Sequence, residues 1–236
     1  YIFDISKDIT STASENIMIE LTEASIPHSF YPIDSSNNTF YIGGQVFSIS
    51  GGNYTASELC KKIENDSTSS ITCTFNENNN KISMTNNETT AVELSKHDTS
   101  NLLTLLGFGD SDTNLPTGTE VIASNSVNLA GPDALYFRIT NEHIKIPNID
   151  PSGNYDNVLS KIPITGGFNE YTFYTNDKHS PITLEPKSTI PKELRIRLED
   201  KTGKNIDFNG LSWSATITIY FSISTDTSFY YNSIQF

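Results

Sequence analysis

Two segments near the C-terminus alternate apolar and polar residues with a period of two, and this pattern constrains the fold more than any other feature. In Lys192-Glu-Leu-Arg-Ile-Arg-Leu-Glu-Asp, Leu194, Ile196 and Leu198 share one face while Glu193, Arg195, Arg197 and Glu199 share the other. In Trp213-Ser-Ala-Thr-Ile-Thr-Ile-Tyr-Phe, Trp213, Ala215, Ile217 and Ile219 share one face. Successive side chains of a strand point to opposite sides of its sheet, so each segment reads as a half-buried strand. We expect the two to pair with each other, joined through turns at residues 200–203 and 207–210. Gly210 can take positive φ in the second turn, and Trp213 then enters the core.

The same texture opens the chain. Ile17, Ile19 and Leu21 share one face of a strand whose other face carries Met18, Glu20 and Thr22. Further strands are expected at Val121-Ile-Ala, Val127-Asn-Leu, Ala134-Leu-Tyr-Phe-Arg-Ile, Val158-Leu-Ser-Lys-Ile-Pro-Ile and Tyr171-Thr-Phe-Tyr. Short strands separated by polar turns indicate a β-sandwich. A different texture lies between. Thr39-Phe-Tyr-Ile and Gln45-Val-Phe-Ser-Ile flank Gly43-Gly44 as a hairpin does. Thr55 with Glu58 makes a capping box ahead of Leu59, Lys62 and Ile63 at helical spacing. Ser70-Ile-Thr-Cys-Thr-Phe and Lys81-Ile-Ser-Met-Thr form a second hairpin, and Thr90-Ala-Val-Glu-Leu a short strand. Ser100-Asn-Leu-Leu-Thr-Leu-Leu reads as a short helix closed by Gly107. The expected organisation is therefore mainly β: a jelly-roll-like β-sandwich from residues 1–39 and 121–236, with a small β-α-β-β unit, residues 40–120, inserted.

Length and charge bound the function. A chain of 236 residues buries roughly 70% of its unfolded surface without metal or disulfide staples. With 15 basic and 28 acidic side chains the net charge is −13, which argues against a phosphate-binding face and hence against a nucleic-acid partner. No stretch approaches the roughly 20 apolar residues of a membrane span. The first residue is Tyr1, and no positive segment followed by an apolar one precedes the strands; this reads as a processed or truncated piece of a longer chain. Asn, Ser and Thr number 24, 29 and 27, which suits a β protein with long polar loops. With so many of them, the four Asn-x-Ser/Thr sequons at Asn37, Asn53, Asn65 and Asn87 fall below chance and say nothing of secretion.

Residues able to carry chemistry are scattered. His28, His97, His143 and His179 lie in different segments, with no neighbouring Cys and no HExxH, so no metal site is expected. Asp110, Asp112 and Asn114 alternate as calcium ligands would, but Leu115 stands where an EF-hand needs Gly and Val121 where it needs Glu. The pairs Gly43-Gly44, Gly51-Gly52 and Gly166-Gly167 lack the pattern of a phosphate cradle and suit turns and bulges. There is no nucleophile elbow, and Glu199-Asp200, as neighbours on a strand, point apart. We expect no catalytic residue, no enzyme activity and no cofactor. Cys60 and Cys73 are two buried thiols of a reducing compartment or, alternatively, a disulfide.

Aromatic residues cluster in two places: Phe168, Tyr171, Phe173 and Tyr174, and the C-terminal run through Phe229, Tyr230, Tyr231 and Phe236. The first group is equally sandwich core or contact surface. The second, a tail beyond the last clear strand, is too apolar for solvent and reads as a subunit interface.

Three stretches together resemble a family. They are Ser126-Val-Asn-Leu-Ala-Gly-Pro-Asp-Ala-Leu-Tyr-Phe-Arg; Val158-Leu-Ser-Lys-Ile-Pro-Ile-Thr with Phe168-Asn-Glu-Tyr-Thr-Phe-Tyr; and Leu194-Arg-Ile-Arg-Leu-Glu-Asp-Lys-Thr-Gly-Lys-Asn-Ile-Asp-Phe-Asn-Gly-Leu-Ser-Trp-Ser-Ala-Thr-Ile-Thr-Ile. The sequence resembles minor structural proteins of polinton-like viruses, virophages and nucleocytoplasmic large DNA viruses. The Gly52-Asn-Tyr-Thr-Ala-Ser-Glu-Leu unit also appears in such proteins, and is similar to modules of phage tail and flagellar proteins. The resemblance implies a virion component: a minor capsid, vertex (penton-like) or spike protein, assembled as a trimer or pentamer with itself and with other capsid proteins. It implies no catalytic residues. An alternative is a fibre-head module binding a host receptor or glycan. A glycan hydrolase would need two carboxylates about 5–10 Å apart, and the sequence offers no such pair.

Overall fold

The alternating segments become strands. In a computed structural model of the chain, residues 2–4, 9–10, 15–142, 144–147, 156–184, 189–190, 193–223 and 229–235 are described. The chain opens with β1 (Ile2–Asp4), β2 (Ile9–Thr10) and the long β3 (Glu15–Pro27). Then come β4 (Thr39–Ile42), β5 (Gln45–Ser48), α1 (Ala56–Asp66), β6 (Ile71–Asn76), β7 (Lys81–Asn86), β8 (Val92–Lys96), α2 (Leu102–Leu106), β9 (Thr113–Leu115) and β10 (Glu120–Ile122). The last part holds β11 (Ala134–Ile139), β12 (Val158–Pro163), β13 (Tyr171–Thr175), β14 (Ile182–Thr183), β15 (Thr189–Ile190), β16 (Glu193–Glu199), β17 (Ser214–Ile223) and β18 (Phe229–Gln235). The protein is mainly β, and the chain divides into two compact units, residues 1–30 with 132–236, and residues 31–131.

The first unit is an antiparallel, jelly-roll-like sandwich. One sheet runs β1-β16-β11-β12, and the other β13-β3-β17-β18 with β14 also on β3. The chain crosses repeatedly between them. Ile17, Ile19, Ala24, Ile26, Phe137, Leu194, Ile196, Ile217 and Ile219 fill the space between the sheets. The inward faces read from sequence for β16 and β17 hold, but their pairing does not. β16 pairs with β11 and β1, while β17 pairs with β3 and β18, so the two lie in opposite sheets. The connection between them leads from one sheet to the other. After β16 the chain folds back on itself, with Asp200 N–H donating to Lys204 O and Ile206 N–H to Leu198 O. Phe208 is then buried and its carbonyl accepts from Ser29 Oγ at 2.7 Å, which carries the chain onto the end of β3. Two strands with apolar faces of this size bury more by facing each other than by lying side by side.

Strand β3 changes the parity of its buried face midway. Ile17, Ile19 and Leu21 point inward, and then Ala24 and Ile26 do. The switch is a β-bulge: Ile217 opposes Leu21 and Thr216 opposes Glu23, leaving Thr22 without a partner residue. Thr22 Oγ1 donates to Thr216 O at 3.1 Å and lies 3.0 Å from Thr218 Oγ1, which fastens the bulge.

The second unit has its own core, including Ile33, Phe40, Leu59, Ile63, Ile82, Met84, Leu94, Leu102 and Leu106. It contains two antiparallel sheets, β10-β7-β6 and β5-β4-β8-β9. Gly43 and Gly44, both at positive φ, make the β4–β5 turn. The capping box is present: Glu58 N–H donates to Thr55 Oγ1, and Thr55 N–H to Glu58 Oε2 at 2.8 Å. The unit is wider than the 40–120 expected from sequence, because flanking segments are drawn into its core. Ile33 and Gly52 exchange backbone hydrogen bonds, Val121 pairs with Met84, and Ala123 N–H donates to Ile82 O. Residues 127–129 are not a strand; Val127 and Asn128 N–H instead donate to Asn80 and Leu105 carbonyls.

Candidate contact surface

Strand β13 sorts the first aromatic cluster residue by residue. Thr172 is buried and Tyr174 packs against the sandwich core, its hydroxyl accepting from Ser160 Oγ at 2.9 Å. Tyr171 and Phe173 point the other way. They are 46% and 77% exposed, and their rings stack 6.3 Å apart at 26°. Burying such rings is worth about 1.5–3 kcal/mol each, so leaving them in water is a cost that a partner surface removes.

The strand is also an edge. It pairs with β3 through Tyr171↔Pro27 and Phe173↔Ser25, and among the described residues no second strand covers its other side. Soluble proteins blunt such edges with charge, proline or bulges. Here the flanking carboxylate is occupied, since Glu170 Oε2 accepts from Gly167 N–H at 2.6 Å. An unguarded edge with a stacked aromatic pair can take up another polypeptide by backbone pairing and apolar contact together.

The C-terminal run lies at the opposite edge of the same sheet. It is not a free tail: Phe229, Tyr230 and Tyr231 belong to β18, paired with Ser222, Phe221 and Tyr220. The seven residues of β18 extend the sheet by one strand. Phe236 lies outside the described residues. The structure thus puts aromatic residues on both edge strands of one sheet.

Other candidates do not converge. His28 sits 4.5 Å from the Phe30 ring, with Nδ1 2.8 Å from Gly166 O. His97 packs on Tyr41 in the other unit, and His143 lies outside the described residues. Asp110 Oδ1 accepts from Asn101 Nδ2 and Thr104 Oγ1, tying down the end of α2, and Asn114 lies in β9. Among the described residues no three His, Cys, Asp or Glu side chains gather as metal ligands would. A shallow concavity of about 370 Å³ lies beside α1, lined by Asn53, Tyr54, Glu58, Lys61, Lys62, Asn65 and Asp66. Several of its polar groups are already engaged: Glu58 in the helix cap, Lys62 with Asp66 at 3.4 Å, and the Tyr54 hydroxyl with Ser50 O.

Two buried charged groups escaped the sequence reading. Glu20, placed on the polar face, is 1% exposed; it accepts from Tyr220 OH at 2.7 Å and Asn176 Nδ2 at 2.8 Å, with His179 Nδ1 3.9 Å away. Burial and the Glu20 carboxylate push the Tyr220 hydroxyl up to about 12. Glu199, also placed outward, is buried where β16 leaves its sheet and accepts from Arg138 Nε at 2.7 Å. The available signal was position: Glu20 stands alone within an Ile-Met-Ile-Glu-Leu run.

No protein-family model matches the sequence, and no curated protein matches it. Among solved structures the chain is similar to the crystal structure of the selenomethionine-labelled mavirus penton protein, at 10% sequence identity and a TM-score of 0.49, over 99% of this chain and 90% of that one.

Proposed function

We propose that the chain is a virion structural protein, a minor capsid, vertex or spike component, that assembles with further copies of itself through the edge of its sandwich. The observation that carries this reading is the outward-facing stack of Tyr171 and Phe173 on β13, whose far edge no strand pairs with among the described residues. The resemblance of residues 126–138, 158–165 with 168–174, and 194–219 to viral minor structural proteins supports it, since these stretches hold β12 and most of β11, β13, β16 and β17. Contacts of this kind are individually modest and become strong when repeated around a ring or along a shell.

The test is the solution mass of the chain by light scattering across a concentration series. A trimer or pentamer is expected for the native sequence. Tyr171→Ser with Phe173→Ser is expected to lower the apparent association constant at least tenfold, because central aromatic anchors dominate such interfaces. Circular dichroism checks that the variant keeps its strands. A native chain that stays monomeric at all concentrations overturns self-assembly. Unchanged assembly of the variant moves the contact away from β13.

A further inference from the structure

We infer that Cys60 and Cys73 are a built cross-link site, closed into an intrachain disulfide when the protein meets a small-molecule disulfide. Cys60 lies on the buried face of α1 between Leu59 and Ile63, and Cys73 on the buried face of β6. Both are free thiols and both are buried, with their sulfurs 2.9 Å apart. A disulfide bond is ~2.05 Å long, so closure asks each sulfur to move by only ~0.4 Å, within the reach of a small side-chain rotation.

A second contact holds the pair in place. Glu64, one helical turn beyond Cys60, accepts from the backbone N–H of Cys73 at 3.0 Å. The helix is thereby fastened to the strand at the position where the thiols meet, so the pair does not drift apart with ordinary motion of α1. Cys73 also faces Met84 across the β6–β7 pairing, which fixes the strand from its other side.

The pair is asymmetric. The Cys73 thiol donates to the Cys60 sulfur; this bond holds the Cys60 thiol below its usual range, and the same bond, with burial, pushes Cys73 up. Cys60 is therefore the attacking thiolate. Its sulfur attacks one sulfur of the small disulfide, forming a mixed disulfide and releasing one small thiolate. Cys73 then loses its proton to solvent and attacks the Cys60 sulfur, releasing the second small thiolate. Two protein thiols are oxidised, one small disulfide is reduced to two thiols, and no other oxidant enters. Because both sulfurs are buried, the first step waits for local opening; β6 is an edge strand and α1 only 11 residues long, so the opening is local.

The test uses the full chain and oxidised glutathione in two arms: the folded protein, and the reduced unfolded chain refolded in a glutathione buffer. Each product is denatured in an alkylating reagent and mapped by mass spectrometry. The expected product has lost two hydrogens, carries no alkyl group and yields one peptide pair joined through Cys60 and Cys73. Its thermal midpoint is expected to rise by roughly 10 °C, because the bond closes a loop of about 14 residues in the unfolded chain, and to return with reductant. Formation in either arm with a raised midpoint supports the site. Alkylation of both thiols in both arms, a glutathione adduct that persists, or a lowered midpoint overturns it.

Discussion

Gly107 shows how little freedom a single position can have. It closes α2 at φ +91°, and a Cβ added there would lie 2.3 Å from the carbonyl oxygen of Asn125. Backbone cannot yield as a flexible side chain can, so Gly107→Ala is expected to cost about 3 kcal/mol or more, read as a fall in the denaturant midpoint. Gly203→Ala is the control: its φ is also positive, but nothing lies within 4 Å, so only the ~1 kcal/mol of backbone strain remains. The hydrogen bond from half-buried Tyr220 to buried Glu20 makes the second prediction at this scale. Tyr220 keeps its proton to about 12 in the folded chain, whereas an ordinary tyrosine loses it near 10. Between those values the unfolded state binds fewer protons, so this group's contribution is complete below pH ~10 and is lost as pH rises toward ~12. Tyr220→Phe removes that part of the alkaline destabilisation. At neutral pH it costs about 1–3 kcal/mol, because Glu20 Oε2 is left buried without its donor. Thermal midpoints of both proteins from pH 7 to 11 check it; parallel curves would refute the assignment.

Elements were more readable than their partners. The period-two faces of β16 and β17, the Gly43-Gly44 hairpin, the Thr55–Glu58 box and the Gly107 cap all stand in the sequence, because each depends on a few neighbouring residues. The pairing of β16 with β11 rather than β17 depends on which faces meet across about 60 residues, and alternation is silent on that. The same limit hid the pairing of the C-terminal run with β17, and the outer boundaries of the second unit. The candidate surface was half visible: the cluster at 168–174 was evident and alternation separates Tyr174 from Phe173, but only the packing of β13 on the sandwich core says that Tyr174 is the one that faces inward. The bulge in β3 was written in plain view as a change from odd to even buried positions at Thr22. It makes an uncommon prediction. Deleting Thr22 leaves Ile17, Ile19, Leu21, Ala24 and Ile26 on one face of a regular strand, so the protein still folds, at a cost of about 1–2 kcal/mol for the lost Thr22 hydrogen bonds. Deleting Arg197 instead turns Leu198 away from the face of Leu194 and Ile196, and that variant is expected not to fold. Circular dichroism and soluble yield distinguish the two; a soluble, cooperative Arg197 deletion would contradict the register.

At the scale of the whole molecule, charge distinguishes the two contacts that the proposed self-assembly could use. The chain carries a net charge of −13, so copies repel each other, and the repulsion reaches about 30 Å at 0.01 M salt but only about 10 Å at 0.1 M. The two sheets differ in what they offer against this. The β16 strand exposes Arg195 and Arg197, each within 4 Å of a carboxylate on its own strand, and a contact built there would draw on attraction between these cations and the acidic surface of a neighbour. The β13 edge exposes Tyr171 and Phe173, which gain from leaving water and gain nothing from charge. Added salt screens both repulsion and attraction, but the two contacts respond with opposite sign. An aromatic contact loses only its opponent, so assembly is expected to strengthen, by about tenfold between ~0.01 and ~0.3 M sodium chloride. A contact through Arg195 and Arg197 loses its driving force and weakens over the same range. Sedimentation of the native chain across that series separates them, with the Tyr171→Ser, Phe173→Ser variant as reference. If association falls as salt rises, the sandwich meets its neighbours through the β16 face, and the aromatic edge is left for a different partner.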